Sequence, residues 1–211
     1  MLEQTKIPIF ITHHLPCVDR KKFVEEQFES QGLYREYITD FLPDEIDTPV
    51  CDTTTPTLHS LCLKHELALK KMLERNCEHC IVFEDDIILN RDFKGYFNIF
   101  FPQFLDIKGD LLMIGTAFNI RPISLIPGQY VYWEPHFRTR CTHAMLFTAN
   151  CAKIILEEYH VGTYRGPDHK LNDIIEKRNL KSCYLEPGLH QSSIGDTPHF
   201  MFSTSIKHKN D

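Results

Sequence analysis

The 211-residue chain is 42% hydrophobic, 25% charged and 11% aromatic, and 23 Lys and Arg against 29 Asp and Glu leave a formal net charge of −6. That balance excludes fibrous and disordered classes and is enough chain for one packed α/β-sized core over residues 1–211. It also argues against nucleic acid as the partner, because phosphate binding calls for a basic face and here the basic residues are interleaved with acids.

No run approaches the about 18 apolar residues that span a bilayer, and Met1-Leu-Glu-Gln-Thr-Lys-Ile-Pro has no apolar segment behind a basic stretch. A cytoplasmic protein without a membrane span is expected. Eight cysteines (Cys17, Cys51, Cys62, Cys77, Cys80, Cys141, Cys151, Cys183) are even in number, as in a disulfide framework. Because Cys62 and Cys151 fall inside helical patterns, free thiols acting as small hydrophobes are expected instead.

Ile7–Thr12 is a β-branched run that ends at His13-His14, and it predicts a strand. A helix follows, with Asp19 as N-cap, a stripe of Phe23, Val24 and Phe28, and Gly32 beyond its end. Tyr34–Ile38 reads as a second strand. Thr55-Pro56 caps a long helix in which Leu58, Leu61, Cys62, His65, Leu69, Met72 and Leu73 recur at helical spacing up to about Arg75. Cys80-Ile-Val-Phe83 is a continuous apolar run of the kind buried in a parallel sheet, and it stops at Glu84-Asp85-Asp86.

Phe93, Tyr96, Phe97, Phe100 and Phe104 form an aromatic helical stripe, followed by a strand over 111–114 that ends at Gly115-Thr116. Strands are predicted at Tyr130–Trp133 and Ala144–Thr148. Asn150 is placed as the cap of a helix through Tyr159, Pro167 opens a helix to about Arg178, and Lys181–Leu185 closes the series, with residues 192–211 as a tail. Strand and helix alternate, so a layered α/β domain with a largely parallel sheet is expected.

In such sheets ligands bind beyond the carboxyl ends of the strands, which singles out Glu84, Asp85 and Asp86. Hard oxygen ligands suit Mg2+ or Mn2+, whose shells are completed by phosphate and water. The plainer alternative is that these acids cap the next turn. Asp168, one residue into its helix, has a spacing to Leu171 and Ile175 that turns it inward, where it could serve as a base; acids also favour a first helical turn through the helix dipole alone.

His190, after the last strand, is a candidate second ligand for a metal held by Asp86. Lys64 is either an ammonium near a phosphate or part of a solvated helix face shared with Lys71. Arg20 could meet a diphosphate, and Thr12 and His13 could line a nucleotide pocket. Cys77-Glu-His-Cys80 is a lone CxxC whose zinc partners would have to be Cys141 and His143. No GxGxxG, P-loop lysine motif or GxSxG elbow is present.

The ordered pieces Asp19-Arg20-Lys21-Lys22, Gln31-Gly32-Leu33, Ser60–Lys70, Val82-Phe-Glu84-Asp85-Asp86-Ile-Ile-Leu89, Asp110–Gly115, Thr142-His143-Ala144, Pro167-Asp168 and Leu185-Glu186-Pro187 resemble the GT-A fold glycosyltransferases of the family 25 type, across residues 7 to 200. Within that group the chain is similar to amino-terminal transferase domains of the capsid-glycosylating kind found in chlorella viruses. The resemblance implies a three-layer GT-A fold and a metal-dependent transferase that moves a sugar from a nucleotide-diphosphate donor, UDP favoured over GDP or TDP.

The acceptor implied is a glycan or glycoprotein, a viral capsid protein among them, met in the host cytoplasm with the help of further domains. Asp86 and His190 would hold the metal, and Glu84 and Asp85 would position ribose or sugar. Lys64 would approach the diphosphate, His143 would join the donor-binding set, and Asp168 would be the base, with inversion at the anomeric carbon. One departure is plain: Thr12-His13-His14-Leu-Pro-Cys stands where the family continues from its first strand with Asn-Leu. Two rivals are a metal-dependent phosphohydrolase built on Glu84, Asp85, Asp86 and Asp52, and a noncatalytic sugar- or partner-binding domain of the same fold.

Overall fold

A computed structural model describes residues 7–47, 55–115, 126–134, 141–159, 166–185 and 201–203. In order, the chain forms β1 (Ile9–Thr12), α1 (Val18–Ser30), β2 (Glu36–Ile38), a 3-10 turn at Pro43–Glu45, α2 (Pro56–Glu74), β3 (His79–Glu84), β4 (Ile87–Leu89) and α3 (Phe93–Ile107). It continues through β5 (Leu111–Met113), β6 (Val131–Trp133), β7 (Ala144–Thr148), α4 (Ala149–Tyr159), α5 (Pro167–Arg178), β8 (Ser182–Leu185) and β9 (Met201–Ser203).

Seven of these strands make one sheet in the order β2-β1-β3-β7-β5-β8-β6. The pairings set β2, β1, β3, β5 and β8 in one direction and β7 and β6 in the other, so the sheet is mixed but mostly parallel. β4 and β9 pair separately, antiparallel, across more than a hundred residues.

The period-2 alternation of the central strands builds the two cores. Ile81 and Phe83 of β3 point to one side, with Val24 and Phe28 of α1 and the aromatic stripe of α3. Cys80 and Val82 point to the other, against Cys62, Leu69 and Met72 of α2, Cys151 and Ile155 of α4, and Leu171 and Ile174 of α5. The result is three layers, α1/α3, sheet and α2/α4/α5, which is the α/β architecture expected. Burying a side chain such as Phe97 or Phe100 contributes roughly 2–3 kcal/mol, and both are sealed from solvent.

The caps follow local chemistry. Thr55 Oγ1 accepts from the Leu58 N–H at 3.3 Å with Pro56 in the first turn, so α2 starts where its sequence says. Two caps differ from expectation. Cys17 occupies the N-cap of α1, with Asp19 in the first turn. Thr148 caps α4 by accepting from the Cys151 N–H at 3.2 Å, and Asn150 lies inside the helix. Gly32, just past α1, has φ +58° and takes the left-handed position expected of it. Cys17, Cys62, Cys77, Cys80, Cys141, Cys151 and Cys183 are free thiols; Cys51 lies outside the described residues. Among the described residues no helix is long and apolar enough to cross a membrane.

Candidate active site

Strand register assembles the site before any side chain is considered. Thr12 of β1 pairs with Glu84 of β3, the Glu84 N–H donates to the His143 carbonyl at 2.8 Å, and the β5–β7 register carried two residues past Met113–Met145 puts Gly115 beside His143. Residues opposite one another share a face, so Thr12, Glu84, His143 and Gly115 form a row across four strands on the α2/α4/α5 side. The antiparallel β7 brings its amino end to the edge where its neighbours bring their carboxyl ends. Alternation also divides the acidic motif: Glu84 faces α2, and Asp85, the next residue, faces α1.

Each acid then meets a different environment. Glu84 Oε1 accepts from the Thr142 hydroxyl at 2.7 Å and lies 3.6 Å from His65 Nε2, an ion-pair separation rather than a hydrogen bond. Burial opposes its ionisation, but the His65 ring, the Thr142 hydroxyl and His143 outweigh that and hold its carboxyl below the usual range. Asp85 Oδ2 is bonded to His13 Nδ1 at 2.7 Å and accepts from the His14 N–H at 3.2 Å, while Oδ1 accepts from Arg20 at 3.1 Å. Burial again pushes upward and these three donors win, so Asp85 is held low.

Asp86 has weaker support, from the charge of Arg20 and its own backbone N–H. Its Oδ1 is buried without a hydrogen-bond partner. Burial first, and the charge of Glu84 second, push its carboxyl up to about 6. A cation beside it would relieve both penalties, so Asp86 fits a divalent metal. Glu84 and Asp85 are committed to protein partners, and among the described residues no group of three His, Cys, Asp or Glu side chains is arranged around a metal. The remaining ligands would therefore come from substrate oxygens, water and residues such as His190, which lies outside the described residues, as does Asp52.

Asp85, Asp86 and Glu84 border a cleft of about 140 Å3 with Thr12, His13, His14, Arg20 and Lys64, closed by Thr57, Ser60 and Leu61 of α2 and by Pro43. Lys64 corrects one expectation, that of a solvated face shared with Lys71. It is 3% exposed and donates to the His13 carbonyl at 2.9 Å, whereas Lys71 pairs with Glu36. Burial draws its ammonium below the usual lysine range, opposed by Asp85 and Asp40.

Asp168 is half-buried in the first turn of α5, where its Oδ1 accepts from the His169 N–H at 2.9 Å. The Cys141 thiol marks its neighbourhood: burial raises it to about 11, and the charges of Glu84, Asp168 and Asp86 add to the rise. Asp168 and the strand-end acids thus all act on Cys141, although Asp168 is not among the residues that line the cleft. His143 is 2% exposed, both of its ring nitrogens lack partners, and burial keeps its imidazole toward the neutral form. Gly115 makes room for it: a Cβ there would stand 2.7 Å from Nε2.

Sequence reasoning missed His65 and Thr142 as site residues. The signal for His65 is a titratable ring inside an otherwise apolar helical stripe.

No protein-family profile and no curated protein matches the chain. Solved structures align along most of its length. One is a glycosyltransferase involved in the glycosylation of the major capsid of PBCV-1, at 15% identity over 82% of this chain and 76% of that one, with a TM-score of 0.45. Another is A197 from STIV, at 10% identity over 85% of this chain and 81% of that one, with a TM-score of 0.46. At such identities and scores the likeness does not extend to activity.

Proposed function

We propose that the chain is a metal-dependent glycosyltransferase that takes a sugar from a nucleotide-diphosphate donor, a UDP-sugar foremost, and gives it to a hydroxyl of a glycan or glycoprotein. The observation that carries this reading is the juxtaposition, in a single cleft at the carboxyl ends of the strands, of Asp86, one of whose oxygens is buried without a partner, with the buried ammonium of Lys64 and the Arg20 guanidinium. Two cations in one cleft with a carboxylate that itself calls for a cation suit a diphosphate.

Asp86, with His190, would hold Mn2+ or Mg2+, which supplies charge neutralisation to the departing diphosphate. Lys64 stays fixed by its bond to the His13 carbonyl and directs its remaining N–H donors at phosphate oxygens. Glu84 keeps β3, β7 and α2 in register beneath the donor. Asp168, at the start of α5, would take the proton of the attacking acceptor hydroxyl as that oxygen approaches the anomeric carbon from the face opposite the leaving group. One base and in-line attack give inversion.

The test is a panel of nucleotide sugars scored for Mn2+-dependent thermal stabilisation, followed by transfer or donor hydrolysis with the best of them. Asp86→Ala is expected to abolish the metal-dependent shift, and Asp168→Asn to keep it while transfer falls about 10^2- to 10^4-fold. Stabilisation by no nucleotide sugar would sink the reading. Because Glu84 and Asp85 are both occupied by protein partners, the noncatalytic binding domain stays the second reading; donor binding with neither transfer nor hydrolysis would select it.

A further inference from the structure

Both oxygens of Asp85 are engaged by protein donors. Its side chain is 8% exposed, and His13, the His14 N–H and Arg20 already surround it. What Asp85 does is fix a ring. The His13 side chain is wholly buried, anchored through Nδ1 on Asp85, edge-on to Tyr37 at 5.6 Å between centroids, with its carbonyl held by Lys64 at 2.9 Å. His13 Nε2 has no hydrogen-bond partner. With Nδ1 donating to the carboxylate, Nε2 is the ring atom left for a partner from outside the protein. An unpaired buried acceptor is costly, and ligand groups that can satisfy it are selected for.

We propose that His13 is the nucleoside-reading residue of the cleft: Asp85 acts through it, as a positioning residue, and Nε2 accepts a hydrogen bond from a hydroxyl or imide N–H of the donor's nucleoside. This rests on the donor reading above. The chemistry of the cleft assigns the parts. Phosphate oxygens go to the cations Lys64 and Arg20, whereas a ribose hydroxyl or a pyrimidine imide supplies a hydrogen to Nε2.

The test uses the intact protein with 15N-labelled histidine. Long-range proton–nitrogen spectra follow His13 Nε2 as Mg2+ alone, inorganic pyrophosphate, UDP, 2′-deoxy-UDP and N3-methyl-UDP are added, and calorimetry gives their affinities. UDP is expected to move the Nε2 resonance, and pyrophosphate and Mg2+ are not. One of the two UDP analogues should bind about tenfold more weakly than UDP, the deoxy compound identifying a ribose contact and the methylated one a base contact. His13→Phe should lose the same factor for UDP, none for pyrophosphate, and nothing more for that analogue.

Equal binding of UDP and both analogues overturns the proposal, even if His13→Phe does not fold. So does a parallel fall of UDP and pyrophosphate in a folded His13→Phe protein, and so does an Nε2 shift with Mg2+ alone, which would make the ring a cation ligand. Failure of the wild-type protein to bind UDP, or GDP in its place, is a separate outcome that removes the donor reading itself.

Discussion

The two helical layers cover the same sheet with opposite chemistry. α3 meets it with Phe93, Phe97, Phe100, Phe101 and Phe104, stacked and edge-on against one another and against Phe83. α2 meets it with Cys62, Leu69 and Met72, but also buries Ser60, Lys64, His65 and Glu66. Burying aromatic rings is favourable on its own account, whereas burying an ammonium, an imidazole and a carboxylate is favourable only where partners are supplied. The α3 layer therefore stabilises, and the α2 layer spends part of that stability on holding charges at a cleft.

Substitutions on the two sides should separate accordingly. The largest effect belongs to the aromatic layer. Phe100→Ala is expected to cost about 3–5 kcal/mol in denaturant titration, with nucleotide affinity of the folded protein unchanged; a matching loss of affinity would end the division of labour. Next comes Asp85→Ala, which takes one carboxylate from Arg20 and frees His13, at about 3 kcal/mol near neutral pH. Because its carboxyl is held low in the folded chain, that contribution exists above the unfolded value and disappears as pH falls through the lower folded one. The gap between wild type and variant should thus narrow on acidification below about pH 4.

Asp86 should respond with the opposite sign. Its carboxyl sits at about 6 in the folded chain, so the folded state binds the proton more tightly and stability declines as pH rises from the ordinary carboxylate value to about 6. Asp86→Asn should stabilise by about 1–3 kcal/mol at pH 7 and by nothing near pH 3, as thermal melts at the two pH values would show, while metal-dependent ligand binding is lost. A destabilised Asp86→Asn protein at pH 7 would mean that the carboxylate is satisfied after all. The smallest effect is Thr142→Val, which removes the hydroxyl donor from Glu84 and is expected to cost about 1 kcal/mol in the same melts.

Much of this was legible in the sequence because local rules agreed with the tertiary outcome. The run 80–83, the Thr55-Pro56 cap, the Pro167 start and the strand at Ala144–Thr148 all stand where periodicity and capping put them. The β4–β9 ladder was not legible, since its two three-residue strands are brought together only by the folded chain. Nor was the split of the acidic motif, which depends on alternation continuing through Glu84 into Asp85. Lys64 had a readable sign: Ser60 and Ala68, four residues to either side, share its helix face and are buried.

The direction of β7 has a consequence for folding. If β7 paired with β3 one residue out of step, His143 would turn toward the aromatic layer, Glu84 would lose its hydroxyl partner, and the gap at Gly115 would stand empty. The residues that would recognise a donor thus also proofread the assembly of the sheet. Lesions at Thr142 or Gly115 should then surface first as slow refolding and aggregation, and only afterwards as weak binding.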